Sequence, residues 1–206
     1  MSLESQLHEG IVALGLDLDA ATEAKLLTYL RLLSKWNRTY NLTAIRDEAE
    51  MVSHHLLDSL TMVPYVRELA SLADVGSGAG LPGIPLAIAC PGLKVTSIET
   101  VEKKVAFQQQ AKIELRLDNF SPMSARVEKV QGQFPAVTSR AFAELADFVN
   151  WSGHLLAPGG RLLAMKGVYP EEEIARLPAD WTLVARHELK VPGLAAQRHL
   201  IVLQKN

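Results

Sequence analysis

The chain contains little cysteine, few aromatic residues and no excess of charge of either sign. Among its 206 residues there is one cysteine, Cys90, which excludes an internal disulfide and a cysteine-rich zinc site. The 21 Lys+Arg nearly balance the 23 Asp+Glu, which argues against a protein that coats nucleic acid, because non-specific affinity grows with the number of phosphates neutralised. We therefore expect a folded protein without a structural metal, in which any contact with a polyanion is local.

Long apolar runs are also absent. The most apolar stretch, from Leu81 to Cys90, is interrupted by Pro82 and Pro85, so we expect no membrane span. The first residues, MSLESQLHEG, have neither the basic start nor the apolar run of a signal peptide. We expect a cytoplasmic protein with no membrane partner.

The sequence pattern changes period between Pro64 and Ser71. Before this boundary the apolar residues Leu26, Leu30 and Leu33 recur at helical spacing, after a helix cap at Asp19 or Thr22. After it, short β-rich runs alternate with helical segments. We therefore predict two parts: an N-terminal helical segment over 1–66 that packs on the rest, and a main domain over 67–206.

The main domain is predicted to be an α/β fold. The expected strands are Leu72–Val75, Val95–Glu99, Phe120–Ser124, Ala136–Ser139, Leu162–Met165, Thr182–Leu189 and His199–Leu203, and the expected helices are Ile84–Cys90, Val101–Leu117 and Phe142–Leu156. This alternation is typical of a parallel sheet covered on both faces. No helical pattern separates the last two strands, so we expect an antiparallel hairpin at one edge. The prediction is a doubly wound, Rossmann-like, seven-stranded methyltransferase sheet with an N-terminal helical extension.

The strongest local signal is the glycine-rich turn DVGSGAGLPG at residues 74–83. Gly78, Gly80 and Gly83 satisfy G-x-G-x-x-G, which favours a dinucleotide held at a helix N-terminus. However, Asp74 stands two residues before the first glycine, and D-x-G-x-G-x-G resembles the nucleoside pocket of S-adenosylmethionine-dependent methyltransferases. Glu99 ends the second predicted strand, where its carboxylate can accept from both ribose hydroxyls of either cofactor.

Residues that some methyltransferase reactions require are missing. Cys90 is predicted to be a buried apolar residue, so methylation at C5 of a pyrimidine, which needs a cysteine nucleophile, is disfavoured. Exocyclic amines are usually methylated beside an N/D-P-P-aromatic turn, whereas this chain has TSRAF at residues 138–142. A ring nitrogen with a free lone pair needs neither feature, and alignment can suffice.

A local basic face is predicted on the second helix. Arg31, Lys35 and Arg38 lie on one side of it, and no acidic residue occurs between Lys25 and Arg46. The residues WN-x-x-YN at positions 36–41 follow, and aromatic and amide groups can stack on or hydrogen-bond an exposed base. Two ordinary interpretations remain open, a solvated helix face and a Trp36 that completes the local core.

Seven segments together resemble the small-subunit (16S) ribosomal RNA guanine-N7 methyltransferase family, also called the glucose-inhibited division protein B family. They are WN-x-x-YNLT at residues 36–43, H-x-x-x-DS at 54–59, DVGSGAGLPGIPLAI at 74–88, SARVE at 124–128, SRAFA at 139–143, MKG at 165–167 and RH at 198–199. The resemblance covers nearly the whole chain. It implies S-adenosylmethionine as cofactor, and ribosomal RNA or the ribosomal subunit as partner.

The resemblance also implies site residues. The expected cofactor-binding residues are Gly76, Gly78, Leu81, Glu99, Val127, Glu128 and Arg140, and the expected catalytic residues are Arg126 and Arg140. The expected RNA contacts are Arg31, Lys35, Asn37, Arg38, Asn41, Lys166 and Arg198. Simpler roles remain open, since Val127 can be plain core and Arg126 or Arg140 can pair with Glu128 or Glu144.

Two other functions are compatible with parts of the pattern. A nicotinamide-dependent oxidoreductase would use the G-x-G-x-x-G glycines, but no Tyr/Lys or His acid–base pair is evident. A non-catalytic nucleotide-binding regulator is suggested by the lack of an obvious general base. The favoured hypothesis is methyl transfer to N7 of a guanine in small-subunit ribosomal RNA.

Overall fold

The computed structural model describes residues 1–206. A seven-stranded sheet forms its centre, with the strand order β3-β2-β1-β4-β5-β7-β6. The strands are β1 (Ser71–Val75), β2 (Lys94–Glu99), β3 (Phe120–Ser124), β4 (Phe134–Arg140), β5 (Leu156–Lys166), β6 (Trp181–Glu188) and β7 (His199–Lys205). Strands β1 to β5 pair in parallel, and β7 pairs antiparallel to both β5 and β6. The predicted fold class and edge hairpin are confirmed.

The N-terminal part is helical. It contains α1 (Leu3–Ala13), α2 (Ala20–Tyr40), α3 (Glu48–Met51), a π-helical turn (Val52–Leu57), α4 (Asp58–Leu60) and α5 (Val63–Val66). The start of α2 is set by Asp19, whose carboxylate accepts from the Thr22 amide at 2.7 Å. Its end is set by Asn41, which adopts the left-handed conformation at φ 49°.

The remaining helices lie between strands. They are α6 (Gly83–Ala89), α7 (Glu102–Leu115), α8 (Leu145–Ser152) and α9 (Glu171–Ala175), with short 3₁₀ turns at Val127–Lys129 and Gly153–Leu155. The predicted helix Phe142–Leu156 is therefore shorter than expected at both ends. No helix in the structure combines the length and apolarity that crossing a bilayer requires.

The sheet is buried on both faces, as the alternating side chains of β7 show. Leu200 and Val202 join a large apolar core with the N-terminal helices, α6 and α7. Ile201 and Leu203 join a smaller core with α8 on the opposite face. The N-terminal helices therefore share one continuous core with the sheet.

The carboxyl ends of the parallel strands all lie at one edge. Strand β1 sits between β2 and β4, because the chain runs outward through β2 and β3 and then returns to the other side of β1. Open α/β sheets bind ligands at such a reversal of strand order. The fold thus directs attention to the segments that follow β1, β2, β3 and β4.

Candidate functional site

The glycine turn after β1 has a backbone conformation that favours glycine. Gly76 has φ 66° and Gly78 has φ 57°, a region that residues with a Cβ rarely adopt. A Cβ on Gly76 would also overlap the ring of Phe142, which follows β4. Only glycine therefore allows Phe142 to pack this closely, and Gly76 itself lines an adjoining cavity.

Buried polar side chains hold this turn in place. Gln108, on α7, donates from Nε2 to Ser77 Oγ at 2.9 Å and to the Gly78 carbonyl at 2.8 Å. Its Oε1 accepts from Ser97 Oγ at 2.6 Å, and Gln108 has no exposed surface. Tyr29, on α2, donates its hydroxyl to the Ala79 carbonyl at 2.8 Å. The turn is thus fixed by one strand and two helices.

Asp74, on strand β1, places its carboxyl group at the start of helix α6. Its Oδ2 accepts from the Gly83 amide at 2.8 Å, whereas its Oδ1 has no partner. Complete burial raises the pKa of Asp74 to about 7, although the Gly83 hydrogen bond and the Arg140 charge oppose the shift. In the dinucleotide fingerprint this helix start would face a pyrophosphate. A carboxylic acid at that place disfavours the dinucleotide interpretation.

Glu99 connects the turn after β1 to the turn after β2. Its Oε2 accepts from the Gly78 amide at 2.8 Å, and its Oε1 accepts from the amides of Thr100 at 2.8 Å and Val101 at 2.9 Å. Each carboxylate oxygen accepts about two hydrogen bonds, so Oε2 keeps one acceptor position. Glu99 therefore orders the site and can still receive a hydroxyl.

A cavity of about 430 Å³ opens beside these groups, a size suited to a nucleoside-containing ligand. It is lined by Val75, Gly76, Ile98, Glu99, Thr100, Lys104, Ala125, Arg126, Val127, Glu128, Ala141, Phe142 and Trp151. We call it the first cavity. Of the residues predicted to bind cofactor, Gly76, Glu99, Val127 and Glu128 line it.

Three predicted cofactor residues do not line the first cavity. Gly78 lies behind it and donates to Glu99, and Leu81 is buried in the large core. Arg140 lines a neighbouring cavity instead. In contrast, Arg126, predicted as catalytic, lines the first cavity with an exposed side chain and forms no ion pair with Glu128.

The second cavity, of about 380 Å³, is lined by Ile45, His54, His55, Asp58, Arg140, Ala141, Met165, Lys166, Gly167 and Arg198. Asp58 is 1 % exposed, and its carboxylate holds two arginines. Arg140 Nη1 donates to Oδ2 at 2.9 Å, and Arg198 Nε donates to Oδ1 at 3.1 Å. Arg140 thus pairs with Asp58, and not with Glu128 or Glu144, the two partners that the sequence left open.

Ala141 joins the two cavities and lines both of them. It has φ 51°, a conformation that costs energy for a residue with a Cβ. The turn directs Arg140 toward the second cavity and Phe142 toward Gly76 in the first. The two cavities are therefore adjacent, separated by one residue of backbone.

Lys166 closes another side of the second cavity. Its Nζ donates to Glu173 Oε2 and to the Ala143 carbonyl, both at 2.8 Å. Lys166 and Arg198, which are predicted RNA contacts, thus meet Arg140 at one cavity. Each is held by a carboxylate of this chain.

The basic face of α2 is exposed. Lys35 and Arg38 are free at the surface, whereas Arg31 Nη2 pairs with Glu4 Oε1 at 2.6 Å. Asn41 is exposed and its Oδ1 accepts from Arg46 at 3.0 Å. These positions remain accessible to a polyanion.

Asn37 and Trp36 are less exposed than their neighbours Lys35 and Arg38. Asn37 is 2 % exposed, donates to the Ile45 carbonyl at 3.0 Å and accepts from the Thr43 amide at 2.9 Å. This internal bonding argues against a direct contact between Asn37 and RNA. The Trp36 ring packs against Phe107 at 5.6 Å and against Tyr40 at 5.1 Å, so it completes the local core.

Several site residues gave no clear signal in the sequence. Asp58 is named only as part of a resemblance motif, and His55, Phe142, Trp151 and Lys104 have no role predicted from the sequence. The useful signal for Asp58 was an acidic residue inside an otherwise apolar helical segment, where only a charged partner makes burial tolerable.

The strand order and the nucleoside-sized cavity beside a glycine turn are those of the Rossmann-like methyltransferase fold. Solved structures agree on the fold. TrmN from Thermus thermophilus superposes with a TM-score of 0.60 at 17% identity, covering 72% of this chain and 48% of that one. A structure described as a SAM dependent methyltransferase from Aquifex aeolicus has a TM-score of 0.55 at 17% identity, covering 72% of this chain and 90% of that one.

Sequence comparison is more specific. The chain belongs to the rRNA small subunit methyltransferase G family, whose model matches residues 22–201. It is 60% identical to the Ribosomal RNA small subunit methyltransferase G of Aromatoleum aromaticum, over 97% of this chain and 98% of that protein. The protein of that name from Neisseria meningitidis serogroup C is 53% identical over 100% of both chains.

Proposed function

We propose that this protein transfers a methyl group from S-adenosylmethionine to N7 of a guanine in small-subunit ribosomal RNA. The single observation that carries the proposal is the adjacency of the two cavities across Ala141, within a chain of this family. One cavity has the acceptor and apolar groups for a nucleoside, and the other has cationic groups for a nucleotide. A ribosomal substrate supports a cytoplasmic location for this activity.

The first cavity fits S-adenosylmethionine. Glu99 keeps an acceptor position for a ribose hydroxyl, and the apolar surface around Val127 and Ile98 suits an adenine ring. Phe142 and Trp151 close the cavity, with ring centroids 5.8 Å apart. When bound, S-adenosylmethionine supplies a sulfonium methyl group that an unshared nitrogen lone pair can attack in line.

The residues of the chain have the task of alignment, because the lone pair of guanine N7 needs no general base. The glycine turn and Glu99 hold the nucleoside. Arg140, Arg198 and Lys166 attract the phosphates and the base of the acceptor to the adjoining cavity. The carboxylates of Asp58 and Glu173 keep these cations in fixed positions.

Residues 1–66 are proposed to contribute to RNA binding as well as to the core. His54, His55 and Asp58 of this segment line the second cavity, and Lys35 and Arg38 present an exposed basic face. Contacts of this kind to phosphates position a nucleic acid without reading its sequence. The N-terminal helices thus complete the acceptor cavity.

The proposal is tested by mass spectrometry of ribosomal RNA from cells with and without the gene. One N7-methylguanosine of small-subunit RNA is expected to disappear when the gene is deleted, and to return when it is restored on a plasmid. A gene for Glu99→Ala is the matched control, because its product loses the carboxylate that orders the first cavity and accepts from the ribose; its melting curve is recorded to show that it folds. An unchanged N7-methylguanosine content after deletion contradicts the proposal.

A further inference from the structure

The segment that separates the two cavities runs from the end of β4 to the start of α8. We call it the dividing segment (Ala141–Leu145). Ala141 lines both cavities, and Phe142 lines the first. Before Leu145 the segment belongs to no helix or strand, and it forms a single backbone–backbone hydrogen bond, with the Phe148 amide. Its position therefore depends largely on contacts with side chains.

Two side chains hold the dividing segment by its backbone. Lys166 Nζ donates to the Ala143 carbonyl at 2.8 Å. Glu173 Oε2 accepts from the Leu145 amide, also at 2.8 Å. Leu145 begins α8, and the side chain of the preceding residue does not cap this helix. Glu173, from α9, supplies the cap instead, because a carboxylate satisfies a free amide at a helix start and interacts favourably with the helix dipole.

One oxygen of Glu173 joins the two contacts. Its Oε2 also accepts from Lys166 Nζ at 2.8 Å, and the two side chains are 25 % and 17 % exposed. Charge-assisted hydrogen bonds of this kind are stronger than neutral ones. Another contact of the segment, between the exposed Arg176 and Glu144 at 3.9 Å, lies at the surface and contributes little. Glu173 therefore connects the end of β5 to the dividing segment.

In-line methyl transfer depends on the spacing of the two cavities. The proposed function places the methyl donor in the first cavity and the acceptor base at the second, on either side of the dividing segment. A misplacement of about 1 Å can lower the rate about a hundredfold. Ala141 has φ 51°, a conformation that persists only where the surrounding structure holds it. Release of the segment is therefore expected to change the spacing.

We infer that Glu173 is a positioning residue for methyl transfer, which acts through Lys166 and the dividing segment to fix the spacing of the two cavities. The inference rests on the proposed function and adds a residue that lines neither cavity. The other two acidic residues of α9 differ from it. Glu171 and Glu172 are exposed, and Glu172 pairs with Arg176 on its own helix face.

The test uses a matched pair of variants, Glu173→Gln and Glu173→Met. Both new side chains have nearly the length of glutamate, no charge and similar helix propensity. Gln keeps an oxygen that accepts from the Leu145 amide and Lys166, whereas the thioether of Met is a weak acceptor. Glu171→Met, at an exposed position of the same helix, is the control.

The rate constant for methyl transfer is measured in single turnover, with saturating S-adenosylmethionine and small ribosomal subunits from cells that lack the gene. The N7-methylguanosine formed is quantified by mass spectrometry. Affinity for S-adenosylhomocysteine is measured by calorimetry, and the affinity for subunits is taken from the concentration that gives half the maximal rate. Melting curves show that each variant is folded at the temperature of the assay.

Glu173→Met is expected to lower the rate constant about tenfold or more, whereas Glu173→Gln and Glu171→Met stay within about threefold of the wild type. Both affinities are expected to change by less than about threefold, because Glu99 is held by other groups and Lys166 keeps its charge. A purely structural role would lower the melting temperature without changing the rate constant of the folded protein. If Glu173→Met does not fold, Glu173→Asp, whose carboxylate is one methylene shorter, is expected to show the same loss of rate.

An unchanged rate constant in folded Glu173→Met overturns the inference. Equal losses in Glu173→Gln and Glu173→Met also overturn it, because the charge and not the hydrogen bonds would then be responsible. A loss confined to either affinity overturns it as well, because the residue would then act in binding. Absence of any N7-methylguanosine with the wild type refutes the proposed function, a separate outcome.

Discussion

Arg140 and Asp58, 82 positions apart in the sequence, are joined by a hydrogen bond of 2.9 Å from Nη1 to Oδ2. Asp58 also receives Arg198, so one buried carboxylate fixes two cations at the acceptor cavity. Through Asp58, helix α4 thereby contacts Arg140 at the carboxyl end of β4 and Arg198 directly before β7. The pair couples the N-terminal helices to the carboxyl edge of the sheet.

Replacing Asp58 with Ala is expected to lower the free energy of unfolding by about 3–5 kcal/mol, because two partly buried arginines lose their partner. Methyl transfer is expected to fall while affinity for S-adenosylhomocysteine stays within about twofold, since Asp58 does not line the first cavity. Urea unfolding and calorimetry measure the two effects. If Asp58→Ala is folded but binds S-adenosylhomocysteine much more weakly than the wild type, the two cavities do not act independently.

Replacing Gly76 with Ala is expected to abolish cofactor binding. The new Cβ meets the Phe142 ring, and φ 66° is unfavourable for alanine. Gly15→Ala is the matched control, because Gly15 has φ 68° but open space around it. Both variants are expected to lose about 1 kcal/mol of stability for the conformation. Calorimetry with S-adenosylhomocysteine is expected to show loss for Gly76→Ala only, and equal affinities contradict the placement of Gly76.

Gln108 is expected to act as a positioning residue for the glycine turn. Gln108→Leu removes donors to Ser77 Oγ and the Gly78 carbonyl, which costs about 1–3 kcal/mol of stability. Cofactor affinity is expected to fall about tenfold, because the glycine turn loses the hydrogen bonds that hold it. Gln110→Leu, on the exposed face of α7, serves as control. Unchanged affinity in a folded Gln108→Leu contradicts this role.

Asp74 is expected to make stability depend on pH. Its pKa is raised in the folded protein to about 7 from 3.8, so the folded state holds a proton that the unfolded state has lost. Stability therefore falls as pH rises between these two values, by at most about 1.4 kcal/mol per pH unit. Below both pKa values Asp74 is protonated in the folded and in the unfolded state, so it no longer makes stability depend on pH.

The check is the difference in free energy of unfolding between Asp74→Asn and the wild type. Asparagine can accept from the Gly83 amide but carries no charge. The variant is expected to gain stability relative to the wild type between pH 5 and pH 8. A difference that stays constant over this range shows that Asp74 is ionised throughout.

The basic face of α2 gives a prediction about salt. Lys35→Ala with Arg38→Ala is expected to raise the Michaelis constant for RNA substrate and to flatten its salt dependence by about one unit of slope per lost phosphate contact. Adding Arg31→Ala is expected to change the slope little, because Arg31 already pairs with Glu4. An unaltered slope in the double variant would show that Lys35 and Arg38 do not contact phosphates. The cations at the sheet edge would then be the groups that bind RNA.

Local patterns were enough to predict much of the fold. Short β-rich runs located all seven strands, since a sheet buried on both faces needs apolar residues on both sides of its strands, and the glycine turn located the first cavity. The ends of elements were less accurate. Strand β5 begins at Leu156 rather than Leu162, because its pairing with β4 contains a bulge: Leu156 pairs with Phe134, the next pair is Arg161 with Ala136, and Gly159 and Gly160 lie between them.

Contacts between distant segments could not be predicted. The spacing of Arg31, Lys35 and Arg38 indicates a helix face, but not that Glu4 neutralises Arg31. Likewise, an amide such as Asn37 has the same chemistry at a surface and in an interior, and its burial depends on the loop from Thr43 to Ile45. Tertiary packing decides these cases.

The most direct test of the account uses purified protein, labelled S-adenosylmethionine and small ribosomal subunits from cells that lack the gene. The RNA is digested to nucleosides, and the labelled product is identified by mass spectrometry. The account predicts that the label appears as N7-methylguanosine and that Glu99→Ala and Asp58→Ala each reduce it. Label in a methylated cytosine, adenine or exocyclic guanine amine, or no label at all, would contradict it.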